Sequence, residues 1–190
     1  LAAMMAAHLD PVRVRRVVIA AVPHPRALEH SLRGGGLRHL AGQLRRSWYM
    51  LFFQLPWLPE RVVRRRDFAF IDRIWRAWSP GWDYREQDIA PVKAALADPA
   101  ALRAALAYYR DTIRSAGNRD MYALAMGAVV APALVVCGED DGCMGAALFE
   151  SYREGFDGEV TLVRMAGAGH FMHREQPEAF FEAVVAFLGG

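Results

Sequence analysis

Two β-branched runs, VRRVVIAAV at Val14–Val22 and PALVVCG at Pro132–Gly138, are separated by a stretch, residues 27–126, in which no convincing strand can be read. Consecutive apolar positions in the first run suit a strand buried on both faces of a parallel sheet, and the second run also reads as a buried strand. Parallel neighbours cannot be joined by a tight turn and need a crossover. A long helical excursion must therefore lie between the two.

Ahead of the first run, Leu1–His8 has helical composition, ended by Asp10 and Pro11; after it, the prolines of PHP at Pro23–Pro25 interrupt regular structure. The excursion reads as successive helices: LAGQLRRSWYMLFFQL, PERVVRRRDFAFIDRIWRAW, DIAPVKAALAD and PAALRAALAYYRDTIR, divided at PWLP, SPGWD and DP. GGG at Gly34–Gly36 reads as a flexible loop. Beyond Pro132 the chain alternates: PALVVCG a strand, GAALFESYREGF a helix, GEVTLVRM a strand, PEAFFEAVVAFL an amphipathic helix. Strand and helix in alternation mark crossover units of an α/β fold, with active groups on loops beyond the carboxyl ends of the strands. The expected division is residues 1–25 as a core strand and helix, 26–130 as an all-helical insertion, and 131–190 as the C-terminal part of the core.

Charge excludes several functions. Lysine and arginine number 23 against 21 aspartates and glutamates, a net +2, so no broad positive field exists to hold nucleic acid or an anionic membrane. RVVRRR at Arg61–Arg66 reads as a solvated helix face near Glu60 and Asp67. Met121–Gly138 is the longest uncharged stretch, but Gly127 and Pro132 interrupt it, so no membrane span is expected. Cys137 and Cys143 have neither metal-type spacing nor a disulfide framework, and a reducing cytoplasm is the default setting. No secretory leader is read at the start, and no P-loop, dinucleotide fingerprint or metal cluster is read anywhere; no cofactor is expected.

The chemistry falls on two loops. Asp141 follows the strand PALVVCG in CGEDDGCM, and His170 follows GEVTLVRM in GAGHFMHREQP. An imidazole oriented by a carboxylate on one nitrogen can take a proton on the other. The order acid then histidine, each on its own strand end, is that of a nucleophile–acid–histidine triad. Other readings stand beside this one. Asp141 could cap the following helix, Glu139 or Asp140 could be the acid, and His170 could be an ordinary loop histidine. His173 and Glu175 read as anchors of the loop after His170. The five tryptophans Trp48, Trp57, Trp75, Trp78 and Trp82 read as packing for the helices and as candidates to line a hydrophobic pocket.

PHP, SWYMLFFQLPWLPE at Ser47–Glu60, ALAYYRD at Ala105–Asp111, GEDDGCM and GAGHFMHREQPEAF, in this order, resemble the later two thirds of an α/β-hydrolase of the epoxide hydrolase branch. The resemblance implies a partial α/β-hydrolase fold: the C-terminal strands of a parallel sheet with an inserted all-helical cap over 26–130. It also implies an aspartate that attacks an epoxide carbon, two cap tyrosines that hydrogen-bond the epoxide oxygen, and a histidine that activates water to hydrolyse the alkyl-enzyme ester. Tyr49 matches the first tyrosine and Tyr109 the second, with Asp141 and His170 as acid and base. The substrate implied is small and hydrophobic. The alternative is that both tyrosines belong to the aromatic packing of the helices; Tyr108, about 100° away from Tyr109 around a helix, cannot share its role.

No nucleophile elbow is read: Ser31, Ser47, Ser79, Ser115 and Ser151 all lie outside a G-x-S-x-G pattern. LAAMMAAH occupies the place of the helix after the elbow. The nucleophile is therefore expected ahead of Leu1, which makes this an N-terminally truncated sequence, inactive alone. Its first strand would then be an open apolar edge prone to association, with a homo-oligomer left open. Alternatives are a serine nucleophile (an esterase or C–C hydrolase), an aspartate serving dehalogenation, or a non-catalytic helical interaction module.

Overall fold

The computed structural model describes residues 1–34, 36–115 and 117–190, with backbone alone for residues 36–39. Its elements in chain order are α1 (Ala2–Leu9), β1 (Val17–Ala20), α2 (Pro25–Gly34), α3 (Gly36–Arg46), α4 (Trp48–Phe52), α5 (Leu58–Arg64), α6 (Ala69–Trp78), α7 (Glu86–Ala97), α8 (Pro99–Ser115), α9 (Arg119–Ala125), β2 (Ala133–Gly138), β3 (Val160–Met165), α10 (Met172–Glu175) and α11 (Pro177–Gly189).

The three strands form one parallel sheet in the order β1-β2-β3. Ile19 is level with Val135, and Val135 with Leu162, so the two distant runs do pair across the excursion. Because side chains alternate along a strand, the sheet feeds two cores. Val17, Ile19, Ala133, Val135, Cys137 and Val160 join Met4, Ala7 and Phe149 on one face. Leu134, Val136 and Met165 join Met172 on the other, with Phe180, Val184 and Phe187 of α11 packed against them. A third cluster, Tyr49, Phe53, Val63, Ile74, Leu102, Leu106 and Cys143, draws all but its cysteine from the helices and from Phe53, the residue that ends α4. Burying each large apolar side chain contributes about 1.5–3 kcal/mol, against ~1 kcal/mol at most for an exposed ion pair such as Arg114–Asp111. Apolar burial therefore dominates the cohesion.

Four expectations need correction. LAGQLRRSWYMLFFQL is not one helix: α3 and α4 are separate, with Ser47 between them. PERVVRRRDFAFIDRIWRAW breaks after Arg64, where Arg66, Asp67 and Phe68 all have positive φ. The break lets α5 and α6 fold back on each other, so that Val63 and Ile74 reach one cluster. The cost of left-handed residues, about 1–2 kcal/mol each, is set against that burial and against Lys93, whose ammonium lies 3.5 Å from Asp67 and 3.1 Å from Asp72. GAALFESYREGF forms only a short 3-10 turn at Ala146–Phe149. Val129 pairs with Phe156 in a parallel bridge, so this segment ends in extended pairing and not in a helix. In GGG, Gly34 ends α2 and Gly36 opens α3, while Gly35 lies outside the described residues. No described helix is long and apolar enough to cross a membrane.

Candidate active site

Asp141 lies three residues beyond the end of β2, and its side chain is fully enclosed. Its Oδ1 accepts the backbone N–H groups of Cys143 (2.7 Å) and Met144 (2.8 Å), and its Oδ2 faces His170 Nδ1 at 2.8 Å. The turn-capping role and the pairing with histidine thus coexist, one oxygen for each. A carboxylate only accepts, so the network assigns the hydrogen to Nδ1 and leaves Nε2 free. Glu139 and Asp140 are exposed, and neither is bonded to His170.

His170 stands on the loop after β3, its ring edge-on to Trp78 at 5.0 Å. Of the two expected anchors, Glu175 holds this loop: Oε2 accepts the Gly169 N–H (2.8 Å), and Oε1 accepts the Phe171 N–H (3.0 Å) and the Ser79 hydroxyl (2.7 Å). His173 is exposed and packs against Phe180.

Tyr49 on α4 is buried, and its hydroxyl lies 3.5 Å from Cys143 Sγ, which brings it beside the acid and the histidine. Tyr109 on α8 meets Tyr49 edge-on at 5.8 Å, while Tyr108 is 65% exposed. Gln54 donates to the carbonyls of Met50 and Tyr109, and Arg110 binds the carbonyls of Phe53 and Leu55 together with both oxygens of Glu60. These bonds fix α4 to α8 and hence one phenol to the other. Beside the tyrosines is an apolar cavity of about 160 Å³, lined also by Phe53, Ile74, Trp75, Trp78 and Leu106. Of the five tryptophans, Trp75 and Trp78 line it; Trp82 stacks on Trp75, and Trp48 and Trp57 are exposed.

Sequence reasoning missed Cys143, although it follows Asp141 by two residues in the same turn. Asp141, Cys143 and His170 each offer one ligand atom, all within 4.8 Å of one another, close enough to surround a metal ion. Both Asp141 oxygens already accept hydrogen bonds, however, and burial pushes the Cys143 thiol up to about 12, so any cation would have to displace bound protons.

Burial also raises the Tyr49 and Tyr109 phenols, each with Cys143 beside it, and pushes Cys137 up to about 11. A thiol or phenol raised in the folded state keeps its proton while the unfolded chain loses one, so stability is full below the unfolded value and falls as pH rises through the folded one. Urea melts should show that fall beginning above about pH 9. It should be shallower in a Tyr49→Phe, Cys143→Ala double variant; an unchanged slope would contradict the burial of these groups.

A model of the alpha/beta hydrolase family matches residues 1–183. Human epoxide hydrolase 4 is 25% identical over 183 residues, covering 94% of this chain and 48% of its own length. Mouse epoxide hydrolase 3 is 27% identical over 183 residues, covering 94% and 46%. The chain thus spans about half the length of these relatives. The structure of a Bacillus megaterium epoxide hydrolase in complex with an inhibitor superposes with a TM-score of 0.73 over 98% of this chain and 65% of that one; at 18% identity it speaks for the fold alone.

Proposed function

The chain belongs to the alpha/beta hydrolase family, and from that premise we propose that it supplies the acid, the histidine and the oxyanion-stabilising phenols of an epoxide-opening hydrolase. The observation that carries the reading is the 2.8 Å bond from His170 Nδ1 to Asp141, which leaves Nε2 free, with the Cys143 thiol close to the pair and the Tyr49 hydroxyl 3.5 Å from that thiol. In this reading residues 26–130 are a cap over the core. An aspartate carboxylate from outside these 190 residues attacks an epoxide carbon, the C–O bond breaks, and the oxygen takes a hydrogen bond and then a proton from Tyr49 or Tyr109. His170 Nε2 next takes a proton from water as that water adds to the ester carbonyl; collapse expels the alkoxide, which takes the imidazolium's proton to complete the diol, and the second water proton leaves the new carboxyl group for the phenolate, restoring carboxylate and tyrosine. Asp141 holds the imidazole in the required tautomer and stabilises the imidazolium.

The names of the relatives support the epoxide, and the cavity supports an apolar substituent. A space of about 150 Å³ takes a benzene-sized ligand, and the cavity here is about 160 Å³ with phenols at its edge. Diol formation from styrene oxide is the test, measured on the 190 residues alone and on the same residues behind a segment bearing an aspartate elbow. Turnover is expected only from the second, and is lost on His170→Ala. Turnover by the 190 residues alone, lost on the same substitution, would place the nucleophile inside the chain; turnover that survives it would remove His170 from the reaction.

A further inference from the structure

We propose that the C-terminal end of α6, Ala77–Ser79, positions the His170–Asp141 pair, and that Ser79 orients the imidazole by acting through Glu175. The catalytic meaning of this rests on the hydrolase reading above; the physical arrangement and its test do not need turnover.

The Trp78 carbonyl accepts two backbone N–H groups, from Gly142 at 3.0 Å and from His170 at 3.1 Å. One atom of the helical segment thus ties the loop beyond β2 to the loop beyond β3. Ser79, fully buried, donates its hydroxyl to Glu175 Oε1 at 2.7 Å, and its oxygen lies 3.2 Å from the Phe171 N–H. Glu175 in turn accepts the N–H groups of Gly169 and Phe171, the two neighbours of His170 in the chain. The carboxylate therefore grips the backbone on both sides of the imidazole, and Ser79 fixes that carboxylate from α6.

The approach is too close for any side chain. A Cβ at Gly142 would stand 1.9 Å from the Ala77 carbonyl oxygen, and one at Gly169 would stand 2.5 Å from Ser79 Cα. Two more contacts join the same parts: Phe171 packs on Trp75 at 4.8 Å, and Arg174 pairs with Asp88 of α7 at 3.0 Å. The helices and the catalytic loops thus form one hydrogen-bonded unit, and a shift of α6 would move His170 relative to Asp141. Ser79 is a positioning residue in this arrangement, since it touches neither reacting atoms nor His170's ring.

The readout is the far-downfield proton resonance of the Nδ1–H···Asp141 bond, followed by NMR in the full chain together with its exchange with solvent. Ser79→Ala removes one donor from a half-buried carboxylate and should speed that exchange about tenfold or more. Glu175→Gln should do so to a greater extent, because its amide group turns donors toward donors. Ile89→Val, in a buried position of α7 away from the cavity, should lower the melting temperature and leave the resonance and its exchange alone. If Ser79 is only the end of a helix, Ser79→Ala will behave like Ile89→Val, and the proposal falls. It falls equally if the unaltered chain shows no such resonance. Faster exchange in Ser79→Ala, together with no epoxide turnover by the elbow-bearing protein, would uphold the positioning and discard the substrate.

Discussion

Replacing Asp141 with asparagine should leave the fold standing and lower ester hydrolysis in the active protein by roughly 10⁴-fold, the size of effect seen when a triad aspartate becomes an amide. The argument is one of donors and acceptors. Oδ1 accepts two backbone N–H groups in an enclosed turn, so the amide oxygen must take that side, because an NH₂ there would face two donors. The NH₂ then points at His170 Nδ1, which has to offer a lone pair. The hydrogen moves to Nε2, and an imidazole protonated there cannot accept a proton from water. The loss of one charge-assisted bond should cost about 1–3 kcal/mol in a urea melt. Asp141→Ala should cost more, since it leaves both N–H groups without an acceptor. ¹⁵N shifts of the ring report the tautomer directly; a variant that retains hydrogen on Nδ1 and full turnover would show that Asp141 does not orient the base.

Tyr49→Phe and Tyr109→Phe should each slow epoxide opening by about 10²–10³-fold, the usual cost of one oxyanion donor. Neither change should slow breakdown of the ester, so no covalent intermediate should accumulate. Burial keeps both phenols protonated at neutral pH, and hence available as donors. Stability should hardly change in Tyr49→Phe, because the partner of this hydroxyl is a thiol, a weak donor and acceptor, 3.5 Å away. Tyr108→Phe is the control: it is 65% exposed on the same helix. Equal rates for all three variants would return both tyrosines to simple packing.

The strands and the two loops were legible because each rests on a local pattern. The β-branched runs paired as expected, and Asp141 and His170 met although 29 residues apart, since each lies just past the carboxyl end of a neighbouring strand. The break at Arg66–Phe68 left no such mark: RRRDF contains neither glycine nor proline, and tertiary burial imposes the left-handed backbone. Ser79 reads only as a serine outside the elbow pattern, and no local pattern joins it to Glu175, 96 positions away. The Trp78 carbonyl could not be found at all, since a backbone atom has no residue type to betray it. The sequence pattern pointed to an aromatic-rich helical segment but not to which tryptophans face the cavity, a matter settled by how α4, α6 and α8 cross.

β2 is the only described strand with a partner on each edge, and all six of its residues are buried. Its amide hydrogens should be the last in the molecule to trade with deuterium, because they are freed only when the sheet itself comes apart. The acid is thus moored to the most persistent of the described strands, while the imidazole hangs from a strand paired, among those described, on one edge only. Thermal wandering that separates the two should begin on the histidine side.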